Sequence, residues 1–402
     1  MLFLVLMVYI IHHIDRNILL LLLEPIRKEF ALSDSNLGLL SGIAYALPYA
    51  VAGVPLGWLA DRVVRTRLIA ILVIIWSGFT AAAGLARSFA WLLVTRAAIG
   101  AAESGAPSSI VSIISDTYPP KSRAGAMSIW FMGPFIGLLL GSMLGGLAAK
   151  AFGWRGALFI AAIPGITVAL LILLTLREPQ RGTLDPEISR TKPAVPVSEV
   201  IAFVFRHVPV RDTILGIVTA SVVSIGVGSW IPVVLMRVHG LPVARAGLIT
   251  ALAAGLPGAL GSIAAGWIST KYARDNNRRL LRFCALAVGV AAPLGALGAW
   301  SNSLPLAVLG FTLWAFANTM YIGPGHSLYV GSVAPRLRGT LSALVIVTCN
   351  LIGAGLGPQL VGSVSDLLRS GGDLSPLSHA LALLAIAGLA PAWLFWRAAR
   401  SQ

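Results

Sequence analysis

Two carboxylic acids stand inside long apolar stretches of the sequence. Asp15 lies within residues 1–23 and Glu103 within residues 90–115, and both stretches consist mainly of apolar side chains. An ionised carboxylate in a low-dielectric interior is strongly unfavourable unless it is paired or solvated. We therefore predict that Asp15 and Glu103 are functional. The alternative is a static buried network that fixes helix packing.

Each of the two acids has a basic partner nearby in the sequence. Arg16 adjoins Asp15, and Arg96 precedes Glu103 by about two helical turns on roughly the same helix face. Burial favours the neutral form of a carboxylic acid, whereas a neighbouring guanidinium favours the carboxylate. Such a site can bind a proton in one conformation and release it in another. We predict a proton-linked switch made of Asp15, Glu103, Arg16 and Arg96, with packing as the alternative role of the two arginines.

The chain that positions these residues is too apolar for a water-soluble globular protein. It has 402 residues, of which 57% are hydrophobic, and its mean hydropathy is +0.86. Because a transmembrane helix needs about 20 apolar residues, we predict an all-α membrane protein with twelve transmembrane helices. The predicted spans are 1–23, 36–60, 67–86, 90–115, 122–148, 154–176, 212–236, 242–269, 280–300, 304–333, 338–367 and 377–397.

The spans fall into two similar halves. The longest polar stretch separates them, so we predict an N-terminal six-helix bundle at 1–176, a cytoplasmic linker at 177–206 and a C-terminal six-helix bundle at 207–402. Gly57-Trp58 recurs as Gly266-Trp267, and Pro120-Lys121-Ser122-Arg123 recurs as Pro335-Arg336-Leu337-Arg338. The order of these matches indicates parallel duplication of a six-helix unit.

The distribution of charge along the chain predicts its orientation in the membrane. It carries 30 basic and 15 acidic residues, a net charge of +15. The loops on the side of the linker hold most of the Lys and Arg residues, which are enriched in cytoplasmic loops of membrane proteins. We therefore expect a multi-pass protein of the cell membrane, taken as a bacterial inner membrane, with both termini in the cytoplasm. The positive charge is then a topology signal, and no nucleic-acid partner is expected.

The sequence lacks the patterns that would indicate an enzyme. There is no Gly-x-x-x-x-Gly-Lys-Ser/Thr loop for a nucleotide, no nucleophile with a matching base, and no spacing typical of metal ligands. Cys284 and Cys349 both lie in apolar runs. We expect no catalytic activity, cofactor or metal.

The loop after the second span has a specific pattern, Gly57-x-x-x-Asp61-Arg62-x-x-Arg65. With the duplicated halves, it resembles the major facilitator superfamily, in which this Asp and Arg tie helix ends together and hold the cytoplasmic side closed. The resemblance implies a cytoplasmic gate; the alternative is a set of solvated topology charges. The gate residues would be Gly57, Asp61, Arg62, Arg65, Asp116, Lys121 and Arg123.

A narrower resemblance covers the first half most specifically. Its motifs are Asp15-Arg16-Asn17, Pro25-Ile26-Arg27-Lys28-Glu29-Phe30, Leu32-Ser33-Asp34, Glu103-Ser104 and Pro119-Pro120-Lys121-Ser122-Arg123. Together they resemble the Spinster family of lipid transporters. The resemblance implies transport of lysophospholipids or sphingosine-phosphate-like amphiphiles, with proton coupling.

An amphiphile needs an apolar lining and a few polar anchors. A lipid phosphate would find a partner in an arginine, and aromatic residues in the spans suit the apolar part, with packing as their alternative role. The substrate-binding candidates are Arg16, Tyr45, Tyr49, Trp130, Phe131, Trp230, Asn318, Tyr321 and His326. At the spacing that relates Pro120 to Pro335, Asn318 takes the place of Glu103, so proton handling is expected in the first half only.

The sequence therefore predicts a proton-coupled secondary transporter of amphiphilic lipids that works by alternating access. Its expected partners are a lipid-like substrate and protons, and we expect it to act as a monomer. One alternative is a proton-coupled antiporter of small drugs or organic anions. A second is a lipid scramblase or a sensor that no longer transports.

Overall fold

The computed structural model describes residues 1–181, 196–272 and 276–402, without the side chains of residues 120, 121, 124, 272, 335 and 336. Every regular element in these ranges is a helix. The helices before the linker are α1 Leu2–Phe30, α2 Asp34–Ser41, α3 Ile43–Ala60, α4 Arg65–Ala83, α5 Phe89–Glu103, α6 Gly105–Thr117, α7 Pro120–Trp130 and α8 Gly133–Thr175.

The remaining helices follow the linker, of which residues 182–195 lie outside the described part of the chain. They are α9 Val197–Arg206, α10 Val208–Arg237, α11 Val243–Thr250, α12 Leu256–Tyr272, α13 Asn277–Trp300, α14 Leu304–Thr319, α15 Ile322–Gly331, α16 Pro335–Thr348, α17 Gly355–Ser370, α18 Pro376–Ile386 and α19 Leu389–Arg400. Two π-helical segments, Ala251–Gly255 and Cys349–Ala354, precede α12 and α17.

Eleven helical stretches of the described chain are long and apolar enough to cross a membrane. The longest, Gly125–Thr175, has 51 residues and would measure about 75 Å as one straight helix, more than twice the thickness of a bilayer core. It turns at Gly153, whose φ of 69° and ψ of 175° are not helical. Glycine tolerates this positive φ because it has no Cβ. Two spans therefore meet at Gly153, and the predicted twelve-helix all-α fold is confirmed.

Local caps set the break between the first and second spans. α1 ends where Ala31 adopts a left-handed conformation with φ of 50° and donates its N–H to the Arg27 carbonyl. Ser33 then caps α2, because its hydroxyl accepts the Asn36 N–H at 3.2 Å. Serine is a favoured residue at this position. The caps place Asp34 in the first turn of α2.

The chain forms two compact units. The first unit comprises Met1–Leu32, Ala44–Pro193 and Pro242–Ala251, and the second comprises Ser33–Ile43, Ala194–Leu241 and Leu252–Gln402. The units differ from the predicted bundles in two short segments, since α2 packs in the second unit and α11 packs in the first.

Glycines explain these two placements. In the second unit, α2 lies so close to α17 that a Cβ added at Gly42 would collide with the Gly355 carbonyl oxygen. In the first unit, a Cβ at Gly247 of α11 would likewise collide with the Ser142 carbonyl oxygen of α8. Small residues permit such close helix contact inside membranes.

Candidate functional site

Three charged side chains lie near one another in the interior of the first unit. Asp15 of α1 is 3% exposed, Arg96 of α5 is 3% exposed, and Glu103 at the end of α5 is fully buried. Glu103 ends its helix because the fourth span breaks there: α6 starts two residues later, at Gly105. The predicted residues Asp15, Arg96 and Glu103 thus lie inside one packed unit.

Tyr45 of α3 is the direct partner of Glu103. Its hydroxyl donates a hydrogen bond of 2.6 Å to Glu103 Oε2. His12 Nδ1 lies 3.4 Å from the same oxygen, outside hydrogen-bond geometry, and Glu103 Oε1 has no partner among the described residues. Sequence spacing did not indicate the contact of His12 with Glu103, because the two residues come from different helices.

Asp15 lacks a hydrogen bond on both carboxylate oxygens within the described chain. The Trp76 indole and the Thr80 hydroxyl of α4 approach it, but neither makes a bond of normal geometry. Glu103 and Arg96 are the charged groups that interact with it electrostatically. Trp76 and Thr80 had no signal in the sequence, because an apolar helix does not show which of its residues will face a buried acid.

The two arginines contact an aromatic ring and not the acids. The guanidinium carbon of Arg96 lies 4.4 Å from the centroid of the Tyr45 ring, and that of Arg16 lies 5.4 Å from it. Nε and Nη2 of Arg96 have no hydrogen-bond partner in the described ranges. Cation–π contacts of this kind are weaker than a bidentate salt bridge. Of the predicted set, Arg16, Arg96 and Glu103 therefore contact Tyr45, and no direct ion pair joins the four residues.

The cluster keeps several buried polar atoms without a partner among the described residues. Buried polar groups are nearly always hydrogen-bonded, and each unsatisfied one costs about 1–3 kcal/mol, more when it is charged. Asp15, Arg96 and Glu103 all keep unsatisfied atoms. The cluster is therefore the candidate site of the first unit for binding a proton, a water molecule or a ligand.

Aromatic candidates of the first unit lie next to the cluster. Tyr49 is 5.7 Å from Tyr45 between ring centroids. Trp130 is buried and stacks on Tyr9 at 4.2 Å, while Phe131 beside it is 55% exposed. Tyr9 was missed by the sequence analysis, because it sits in an apolar run with no polar neighbour before His12.

The candidates of the second unit form a neutral group. Asn318 and Ser224 exchange two hydrogen bonds, of 2.7 and 3.1 Å, and Tyr321 is buried. The ring nitrogen Nδ1 of His326 lies 2.8 Å from the Ile322 carbonyl oxygen, one turn earlier. Trp230 is fully buried and donates to the Pro358 carbonyl at 3.1 Å. Its whole surface is thus used for packing in the second unit.

The predicted gate residues of the first unit centre on Arg65. This buried arginine donates to Asp116 Oδ2 at 2.5 Å and to Glu178 Oε1 at 2.7 Å, and the Thr66 N–H donates to Glu178 Oε2 at 2.9 Å. Partial burial opposes the charge of Glu178, but the Thr66 N–H and the Arg65 guanidinium outweigh it and hold the pKa of that carboxyl below its usual range. Glu178 was not among the predicted residues.

The other gate residues bind locally. Arg62 donates to the Trp58 carbonyl at 3.1 Å and lies 3.5 Å over the Trp58 ring, and Arg123 donates to the Ser115 carbonyl at 2.7 Å. The Asp61 carboxylate has no hydrogen-bond or salt-bridge partner in the described chain. Its backbone carbonyl accepts a bond from Arg181.

Two further gate residues lie in α3 and α7. Gly57 lies in α3 with open space where a Cβ would stand. Lys121 lies in the first turn of α7, and its side chain is outside the described part of the structure.

A fully satisfied charged cluster, which the sequence analysis did not select, lies in the second unit. The buried Asp34 carboxylate accepts from Arg237 at 2.7 and 2.9 Å, from Arg369 at 2.7 Å and from Ser365 at 2.7 Å. Asp366 in turn accepts the backbone N–H of Asp34 at 3.1 Å. These residues come from distant parts of the chain, so sequence spacing could not bring them together. Among the described residues, no group of three His, Cys, Asp or Glu side chains could hold a metal ion.

Comparisons with known proteins identify the family. The family model of the Major Facilitator Superfamily matches residues 5–358. An MFS-type efflux pump of Mycolicibacterium smegmatis is 26% identical, over 94% of this chain and 86% of the pump. The sphingosine-1-phosphate transporter SPNS2 of Danio rerio is 27% identical, over 93% of this chain and 77% of that protein.

Solved structures agree with these relatives. The crystal structure of a bacterial homologue of the human lysosomal transporter Spinster, in an inward-facing and occupied conformation, superposes with a TM-score of 0.82 at 28% identity. The match covers 100% of this chain and 96% of the homologue. The chain therefore belongs to the major facilitator superfamily, and it is similar to transporters of the Spinster type.

Proposed function

We propose that this chain is a proton-coupled secondary transporter of an amphiphilic lipid, and that protonation of Asp15 and Glu103 drives its alternating access. The observation that carries the proposal is the buried cluster of Asp15, Arg96 and Glu103 with its unsatisfied polar atoms. Such atoms are strongly unfavourable in one fixed state. They become useful when a proton, a water molecule or a substrate headgroup satisfies them in part of a cycle.

Tyr45 links the acids to the arginines in this mechanism. Its hydroxyl holds Glu103, while its ring carries the guanidinium groups of Arg16 and Arg96. Protonation of Glu103 weakens the charge-assisted hydrogen bond from Tyr45. Movement of Tyr45 then changes the environment of both arginines, so that proton binding and the shape of the first unit are coupled.

The substrate class follows from the chemistry of the same region. Arg16 is partly exposed and can bind a phosphate, while Tyr49 and Phe131 supply apolar surface. The buried Trp130 packs beside Phe131, with ring centroids 4.9 Å apart. In the second unit, Asn318, Tyr321 and His326 stay candidate substrate residues. The relative named a sphingosine-1-phosphate transporter supports a phosphate-bearing amphiphile, either a lysophospholipid or a sphingosine-phosphate-like lipid.

The network of Arg65, Asp116 and Glu178 is the proposed cytoplasmic gate, together with the predicted residues Asp61 and Arg62. Its position after the second span matches the family pattern, and the excess of basic loop residues on that side supports a cytoplasmic location. We place the protein, as a monomer, in a bacterial inner membrane with both termini in the cytoplasm.

The test is uptake of a fluorescent lysophospholipid into proteoliposomes with an imposed pH gradient. Asp15→Asn and Glu103→Gln should each abolish the part of uptake that depends on the gradient. Asp373→Asn makes the same chemical change in a loop outside the spans and should leave it intact. Full gradient-driven uptake by both site variants would disprove the coupling.

The match to an MFS-type efflux pump favours a second candidate, an antiporter that exchanges protons for small drugs or organic anions. The same vesicles loaded with a hydrophilic organic anion separate the two candidates. Gradient-driven export of the anion without lysolipid transport supports the antiporter. Equilibration of the lipid without any response to the gradient indicates a scramblase.

A further inference from the structure

An apolar groove opens on the surface of the second unit between α13 and α19. Its volume is about 430 Å³, and its wall contains Arg282, Leu286, Val290, Trp393 and Trp396. All of its residues belong to the second unit. The residues named here define the Arg282 groove.

The groove has the dimensions of a lipid chain. Gly289 and Ala392 form the floor of the groove, and their small size leaves it open. A Cβ added at Gly289 would meet only the Ala392 Cβ, at 3.5 Å. Leu286 and Trp393 are 67% and 56% exposed and form its sides. From Arg282 to Val290 the groove follows α13 for about 12 Å. This length accommodates a large part of an extended acyl chain.

One end of the groove carries positive charge without a matching acid. The guanidinium carbons of Arg282 and Arg400 lie 5.6 and 5.7 Å from the centroid of the same ring, that of Trp396. Both arginines are exposed, and no carboxylate of the described residues pairs with either. Arg278 and Arg279, in the first turn of α13, add two more exposed cations.

A neighbouring arginine shows the contrast. Arg397 donates two hydrogen bonds of 2.6 Å to the buried Asp212, so its charge is used inside the second unit. Within the described ranges, Arg282 and Arg400 contact only the Trp396 ring, and their N–H groups donate no hydrogen bond there. Charge complementarity therefore calls for an anion at this end of the groove.

We propose that the Arg282 groove binds an anionic phospholipid of the surrounding bilayer, with its phosphate between Arg282 and Arg400 and one acyl chain along α13. Such a lipid supplies a phosphate for the two arginines and an acyl chain for the apolar wall. Exposed tryptophans are enriched at the level of lipid headgroups, and basic pockets between membrane helices bind anionic headgroups. A free phosphate ion would leave the apolar wall unused. The proposal is independent of the transported substrate.

Lipid retention by the purified full-length protein tests the proposal. The detergent-solubilised protein is titrated with phosphatidylglycerol or phosphatidylcholine, and bound lipid is counted by native mass spectrometry. The wild type should bind phosphatidylglycerol more tightly than phosphatidylcholine. Arg282→Gln/Arg400→Gln should weaken phosphatidylglycerol binding by at least about tenfold, since each basic residue near a headgroup contributes about fivefold.

A matched double variant, Arg87→Gln/Arg245→Gln, removes the same charge at two other exposed positions and should bind as the wild type does. Gly289→Leu fills the groove with every arginine in place and should also weaken binding. This second variant decides the question if the double arginine variant does not fold.

Three results would each overturn the proposal. The first is unchanged phosphatidylglycerol binding by Arg282→Gln/Arg400→Gln or by Gly289→Leu. The second is equal binding of phosphatidylcholine, which would indicate a general apolar belt. The third is equally tight binding of glycerol phosphate, which would indicate an anion site without a chain. Asp15→Asn should retain lipid normally, so this result is separate from that of the transport assay.

Discussion

The two units break a membrane span at corresponding places but fill the break with different chemistry. In the first unit the break between α5 and α6 holds Glu103, whose Oε1 has no hydrogen-bond partner among the described residues. In the second unit the break between α14 and α15 follows Asn318, whose amide exchanges two hydrogen bonds with Ser224. The first site is charged and incompletely satisfied, whereas the second is neutral and paired.

The difference shows how a duplicated unit can divide its tasks. A neutral pair such as Asn318 and Ser224 stabilises a helix break at little cost, because both groups satisfy each other. A buried acid with an unpaired guanidinium nearby is costly in any single state. This contrast supports the proposal that proton handling is confined to the first unit.

Removing the guanidinium from the first unit should have the largest effect. Arg96→Leu leaves Asp15 and Glu103 buried without their nearest cation, and we expect it to lower the free energy of unfolding by about 4 kcal/mol. Chemical unfolding in detergent measures the change. The triple variant Arg96→Leu/Asp15→Asn/Glu103→Gln should recover most of the loss, since it removes the charges together. A triple variant as unstable as Arg96→Leu would show that Arg96 acts by packing alone.

Moving the acid to the second unit should have the next largest effect. Asn318→Glu places a buried carboxylate where the Asn318 amide now pairs with Ser224, and it should cost about 3 kcal/mol. Asn318→Gln has the same length without the charge and serves as control. If both variants have the same unfolding midpoint, the second unit tolerates charge and the comparison fails.

Tyr45→Phe tests the contact that joins acid and arginines. Losing the 2.6 Å hydrogen bond to Glu103 should reduce stability by about 2 kcal/mol, since the bond is buried and involves a carboxyl group. It should also shift the pH at which transport is half-maximal. Tyr321→Phe makes the same change in the neutral group and should move stability less and the pH profile not at all. Equal shifts in both variants would remove Tyr45 from the coupling.

The smallest effect is expected outside the spans, at Glu178. Arg65 and Thr66 hold the pKa of Glu178 below its ordinary value of 4.5, so its stabilising contribution is complete above that pH and is lost as the pH falls through the lower, folded-state value. Because Glu178 is partly exposed, the contribution is less than about 1 kcal/mol. At pH 6 the wild type should have a higher unfolding midpoint than Glu178→Gln. At pH 3 the two midpoints should converge. A constant difference between them would contradict this account.

Much of the fold was predictable because it depends on local pattern. Runs of about 20 apolar residues are readable one by one, and twelve spans follow from them. The merged stretch Gly125–Thr175 shows the limit, since the turn at Gly153 depends on a single positive φ. The exchange of α2 and α11 between the units was not predictable either, because it rests on close contacts at Gly42 and Gly247 with helices far away in the sequence.

The candidate site divides in the same way. Asp15 and Glu103 were identifiable because a carboxylate is unfavourable in an apolar helix. Arg96 was identifiable because helical spacing places it on the face of Glu103. Tyr45 was selected as a lining residue, but its hydrogen bond to Glu103 depends on how α3 is rotated against α5. The Asp34 cluster was missed, since Arg237 and Arg369 reach that acid through folding alone.

The sequence by itself thus determined which residues are costly to bury and on which helix faces they lie, because composition and periodicity act within one helix. The tertiary structure alone decided which of those residues find partners. Asp34 is satisfied by two arginines from other helices, while Asp15 has no hydrogen-bond partner in the described chain. That difference arises from helix rotation and close glycine contacts, which depend on all neighbouring helices at once.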